Sequence, residues 1–185
     1  VLIPLGILSS SGAAPGDYEL IATAFGTGSS AIITFSSIGA EYKHLQLRYT
    51  ARSSTTNGRT VDINFNGSTA TVYNNHILRS DGTRTAVTST GSNTSIALSN
   101  FFAGSGSGSR FAAGIVDILD YADTSKGKTI KTNYGFMDLA ASSPPGAIST
   151  ASGMFNDTSA ITSITLTASS NIQSPSRFSL YGIKG

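Results

Sequence analysis

Apolar and polar residues alternate along most of this chain in short blocks with a period of two. In "AIITFSSI" (31–38) Ala31, Ile33 and Phe35 share a face. In "HLQLRYT" (44–50) Leu45, Leu47 and Tyr49 point one way, and His44, Gln46 and Arg48 the other. In "TVDINFNG" (60–67) Val61, Ile63 and Phe65 alternate with Asp62, Asn64 and Asn66. Alternation over such lengths, bounded by turn residues, marks strands with one buried face. Further strands are expected at 72–78, 94–102, 110–119, 128–137, 147–155, 161–168 and 177–184. Asn57-Gly58 between the second and third blocks is a hairpin signal and predicts that those two strands pair antiparallel. "FAAGIVDIL" (111–119) is almost continuously apolar and predicts a central strand buried on both faces. "GSGSGS" (104–109), "DYADTSKGK" (120–128) and "SSPPGA" (142–147) are expected to be loops or turns.

About ten strands with no long amphipathic helix imply an all-β fold, an antiparallel jelly-roll-like β-sandwich or a barrel. Residues 18–185 are expected to form one β-sandwich domain. Residues 1–17 stand apart: apolar "VLIPLGIL" followed by "SSSGAAPGD" is an extended N-terminal arm. An apolar segment on a Ser/Gly/Pro tether must be buried, on its own domain or on a neighbour. It has no basic flank and is cut by Pro4 and Gly6, so it does not match a secretory leader.

Composition sharpens this reading. Of 185 residues, 30 are Ser, 22 are Thr and 20 are Gly, whereas only 12% are charged. A solvent face made of hydroxyls rather than Glu, Lys and Arg suits strands and turns, not helices. A net charge of +2 supplies no basic stripe, so no nucleic acid is expected as a partner. No apolar run reaches the roughly 20 residues of a membrane-spanning helix, and no membrane partner is expected. The absence of cysteine excludes disulfides and thiolate metal sites.

Candidate chemistry is sparse. The two histidines, His44 and His76, show no metal-ligand spacing, although Asp62 could lie across from His44. Asp117, Asp120 and Asp123 form an oxygen-rich stretch without the calcium-loop pattern. "NFNGST" (64–69) is explained by Asn and Gly turn chemistry. No nucleophile elbow occurs, and with Glu19 and Glu41 the only glutamates a glycosidase pair is hard to place. No catalytic, cofactor-binding or metal residue is assigned, and no cofactor is expected. Arg48, Arg52 and Arg59 cluster around the expected first hairpin, where they would meet an acidic partner or block edge aggregation.

Five blocks in order, "ITFSSIGAEYKHLQLRYTARS" (33–53), "INFNGSTATVYNNHIL" (63–78), "GIVDILDYADTSKGKTIK" (114–131), "FNDTSAITSITLTA" (155–168) and "SRFSLYGIKG" (176–185), carry a resemblance. Together they resemble a family of small β-sandwich virion structural proteins of tailed bacteriophages, from about Tyr18 to the end of the chain. The family's "FNGDTG-x-NY" turn appears here as "FNGSTATVY" (65–73), without the Asp, so any ion site at that acid is not carried over. The resemblance implies a capsid decoration (cement) protein on the outer capsid surface. Its partners would be further copies of itself, as a homotrimer, and the major capsid protein or other virion proteins. The interface residues expected are Leu2, Ile3, Leu5, Ile7 and Leu8 of the arm, with His44, Arg48 and Arg52. The alternative is a tail-fibre or tail-tip module binding host-surface glycan, with Tyr42, Tyr73, Tyr121 and Tyr134 stacking on sugars. A hydrolase acting on the host envelope is the third and weakest reading.

Overall fold

In the computed structural model, residues 17–55, 59–81, 85–102, 110–137 and 146–185 are described. The expected arm therefore lies outside the described residues except for Asp17, as do Asn57-Gly58 and most of the two glycine- and proline-rich loops. Twelve strands run through the described residues: β1 (Tyr18–Phe25), β2 (Ile32–Phe35), β3 (His44–Ala51), β4 (Arg59–Phe65), β5 (Tyr73–Ser80), β6 (Thr85–Asn93), β7 (Ile96–Phe102), β8 (Ala112–Leu119), β9 (Lys128–Met137), β10 (Gly146–Phe155), β11 (Ile164–Ala168) and β12 (Arg177–Ile183). The fold is an all-β sandwich of two antiparallel sheets. One has eight strands in the order β1-β12-β3-β8-β9-β10-β5-β6, the other four in the order β2-β11-β4-β7.

The expected pairing of the 44–50 and 60–67 strands is corrected. β3 pairs with β12 and β8 in the large sheet, whereas β4 pairs with β11 and β7 in the small one. The chain leaves β3, and Ser53 forms a bridge to Ile172 while the Ser54 amide donates to the Asn171 carbonyl. These contacts direct it across the edge of the sandwich. The same crossing separates Asp62 from His44 onto different sheets. Two strands were not expected, β1 and β6, which form the two edges of the large sheet.

The alternation does what it predicts in the core. Leu45, Leu47 and Tyr49 of β3, Val61, Ile63 and Phe65 of β4, and Phe178 and Leu180 of β12 are buried in one hydrophobic cluster. At about 25 cal/mol per Å² of apolar surface removed from water, this face-to-face burial is the main stabilising term. Two glycines let tyrosine rings lie on the large sheet. A Cβ at Gly182 would stand 2.2 Å from the Tyr42 ring, and one at Gly114 would stand 2.6 Å from the Tyr49 hydroxyl and 2.7 Å from Tyr134 Cβ.

The buried hydroxyls of Tyr73 and Tyr121 find backbone partners, as burial demands. Tyr73 Oη donates to the Phe65 carbonyl and accepts from the Phe65 amide. Its ring stacks on Phe155, with centroids 4.9 Å apart. Tyr121 Oη donates to the Gly39 carbonyl at 2.6 Å. Tyr42 and Tyr134 are buried as well. The expectation of four exposed, sugar-stacking tyrosines is therefore overturned: Tyr42, Tyr73, Tyr121 and Tyr134 all serve the core.

At one end of the sandwich Lys128 is fully buried, and its Nζ donates to the carbonyls of Lys126 (2.9 Å), Thr158 (3.1 Å) and Asp157 (3.4 Å). Three carbonyls match the three donors of an ammonium group. This clamps the loop before β11 against the turn before β9. Desolvation lowers the lysine's pKa below its ordinary 10.5.

Candidate functional site

One face of the large sheet packs on the small sheet, and the other does not. Cross-strand register lays out this outer face row by row. One row reads Ile115, Asn133, Thr150, Leu78 and Val87; the next reads Asp117, Lys131, Ser152, His76 and Ser89. Leu119, Thr129, Met154 and Asn74 follow on one side, and Gly135, Ile148, Ser80 and Thr85 on the other.

The face divides into two halves of different chemistry. Over β1, β12 and β3 it is polar and aromatic. The Arg48 guanidinium lies 5.1 Å from the centroid of Tyr18 and 5.2 Å from that of Tyr181, held between two rings. Arg48 Nε donates to Gln46 Oε1, and Gln46 Nε2 donates to Asp117 Oδ1 at 2.7 Å. Gln46 is buried by this cover although it points away from the core. Cation–π pairs of this kind contribute roughly 0.5–1 kcal/mol each when exposed, so Arg48 fastens the edge strand β1 to the sheet.

Over β9, β10, β5 and β6 the face is an open apolar trough. Leu78, Val87 and Ile148 stand in it at 47%, 66% and 70% exposure. Leu119 and Met154 continue it toward one end. A void of about 530 Å³ is lined by His76, Leu78, Val87, Leu119, Lys131 and Thr150 among others. A neighbouring one of about 270 Å³ shares Leu78 and Thr150 and adds Ile148. Neither has a Phe, Tyr, Trp or carboxylate in its lining. This corrects the expectation for "FAAGIVDIL": β8 is central in the sheet but buried on one face only, since Ile115 and Leu119 border the trough. Contiguous exposed apolar surface of this kind marks an interaction site.

The other residues singled out in the sequence are placed as follows. His44 and Arg48 share the outer face of β3, while Arg52 lies beyond the strand's end with its guanidinium 5.3 Å from the Phe111 ring centroid. Arg48 stands opposite Ile115 beside the trough, but neither void has His44, Arg48 or Arg52 in its lining. His44 Nδ1 accepts from the Asp120 amide at 2.9 Å. Asp120, at a positive φ of 49°, binds Lys43 at 3.2 Å and also Lys126. Hydrogen bonds from Lys126 and then Lys43 lower its pKa from 3.8 to about 2. The Asp120 carboxylate is thus engaged by two lysines, and Asp117 is engaged by Gln46. Among the described residues no group of three or more His, Asp or Glu is arranged to hold a metal ion. In "NFNGST" the Asn66 side chain accepts from the amides of Thr162 and Ser163 and donates to the Ala160 carbonyl. That turn therefore anchors the loop before β11. His76 is exposed on the trough floor between Ser152 and Ser89.

Comparison with known proteins leaves the site's use open. No protein-family model and no curated protein matches the chain. One solved structure, a protein of unknown function, SO2946, from Shewanella oneidensis MR-1, is similar at 10% identity over 90% of this chain and 76% of that one, with a TM-score of 0.25.

Proposed function

We propose that this chain is a bacteriophage virion structural protein, a capsid decoration or cement protein whose role is mechanical. The observation that carries the reading is the open trough of Leu78, Val87 and Ile148 on a sheet whose other face packs into the core along its central strands. Such a face is stable in water only at a cost, and burial against another chain removes that cost. The five-block resemblance to phage virion proteins supplies the setting.

Connectivity supports the same reading. Without the β5-β6 and β9-β10 hairpins, the sheets run β1-β12-β3-β8 and β2-β11-β4-β7, and each successive strand switches sheets except β4 to β7, which pair within the small one. We read this as a jelly roll, a frequent solution in viral shells, whose two inserted hairpins widen one sheet into an interaction platform. Copies would assemble as a homotrimer on the outer capsid surface and bridge the major capsid protein. A contact of standard size buries roughly 1,600 Å² in total. The four tyrosines named for the glycan-binding alternative are buried, and neither void has a Phe, Tyr or Trp in its lining, so the trough favours a protein partner.

The test is the copy number in purified virions by quantitative electrophoresis and mass spectrometry. Copies comparable in number with the major capsid protein support a cement role. A small number, typical of a neck or tail component, overturns that role, and absence from the virion overturns the whole reading. Deleting residues 1–8 is expected to leave a folded protein that no longer co-sediments with capsids.

A further inference from the structure

We infer that the trough over β9, β10, β5 and β6 is the receptor for residues 1–8 of a neighbouring copy of this chain. The inference deepens the assembly reading above, but its test needs only the purified protein. It rests on chemistry, length and reach.

The chemistry is complementary. "VLIPLGIL" carries no charged side chain, and in extended form Val1, Ile3, Leu5 and Ile7 make one apolar face. The trough offers Leu78, Val87, Ile148 and Leu119 to such a face, bordered by hydroxyls, His76 and Lys131, with no carboxylate in its lining. Leu2, Pro4, Gly6 and Leu8 would fall on the opposite side of the segment. Pro4 has no amide to give to a sheet edge, which favours contact with the face through side chains over extension of the sheet beyond β6.

The length fits. Eight extended residues span about 26 Å, and the ten residues of β10 run about 33 Å. The segment therefore matches the trough along the strands.

Reach selects a neighbour. β1 begins at the far edge of the large sheet, where the Asp17 carbonyl accepts from the Lys184 amide at 3.0 Å. β10 lies five strand positions away, or about 24 Å at 4.8 Å per strand. A Gly/Ser-rich tether of the length of residues 9–16 spans on average only about 16 Å. To reach its own trough it would have to be drawn nearly straight across Tyr18, Tyr181 and Arg48. A neighbouring copy can present its trough closer.

The test places a photo-crosslinking benzoylphenylalanine at Leu5 of the full chain and irradiates an equal mixture of ordinary and ¹⁵N-labelled copies. Cross-links to 73–93 or 146–155 with the statistical share of mixed-isotope pairs are expected. Cross-links only within one copy, cross-links to other surfaces, or a chain that stays monomeric would each overturn the inference. In the same background Leu78→Arg, on the open face, is expected to cut the cross-link yield about tenfold or more with an unchanged circular dichroism spectrum. An unchanged yield would also overturn it. Absence of the protein from virions would defeat the cement reading and leave this result standing.

Discussion

Replacing Val87 and Ile148 by threonine together tests whether the trough drives association. Both keep a β-branched side chain on a strand, which preserves the local preference for extended backbone. Fully burying a Val or Ile side chain contributes about 1.5–3 kcal/mol. Val87 is 66% exposed and Ile148 70%, so most of that term is still unrealised in the isolated chain, about 1–2 kcal/mol at each position. The two residues stand on β6 and β10 with β5 between them, roughly 10 Å apart, far enough for their effects to add. The pair should weaken self-association by about 2–4 kcal/mol, roughly 30-fold to 1,000-fold in dissociation constant. Because neither side chain is in the core, stability should move by no more than about 0.5 kcal/mol, or about 2 °C in the melting midpoint. Sedimentation velocity over a concentration series reads the first quantity and thermal unfolding the second. Unchanged association with an unchanged midpoint would refute the reasoning.

Two further outcomes concern the frame that holds the face in place. Lys128→Met would leave three buried carbonyls without their donor, and should cost about 2–4 kcal/mol. That lowers the melting midpoint by about 4–16 °C, and an unchanged midpoint would show that the clamp carries no stability. Asp120 has a folded pKa near 2 against an ordinary 3.8, so between those values the unfolded chain binds more protons than the folded one. Its stabilisation is present above about pH 4 and is lost as pH falls toward 2. Asp120→Asn, which tolerates the positive φ, should flatten that limb of a pH–stability curve, whereas an identical limb in the variant would assign acid sensitivity to other groups.

Legibility in the sequence followed burial. β3, β4, β11 and β12 were evident because each has one sealed face, and sealing writes a strict alternation into the residues. β1 and β6 escaped because they are edges. "YELIATAF" has neither face fully covered, and "TAVTSTGSN" has only Val87 as a large apolar residue among hydroxyls. The Asn57-Gly58 signal is local, whereas the partners of β3 lie as far away as β12. Turn chemistry cannot tell a hairpin from a crossing between sheets. The excess apolarity of "FAAGIVDIL" was visible, but its meaning was not. Ile115 and Leu119 read as interior residues and instead border the trough, so the surplus that predicted two buried faces is a signature of the site. The tyrosines misled in the opposite direction: their hydroxyls suggested surface, yet Tyr73 and Tyr121 satisfy them on backbone groups inside the core.

The central claim is that the outer face of the large sheet is covered in the assembled particle, and Met154 reports on it directly. It stands at the end of the trough, 40% exposed in the isolated chain, and thioether oxidation by peroxide follows exposure. The measurement is its oxidation rate, by mass spectrometry, in intact virions and in purified chain lacking residues 1–8. The account predicts rapid oxidation in the truncated chain and strong protection in the virion; equal rates in both would contradict it.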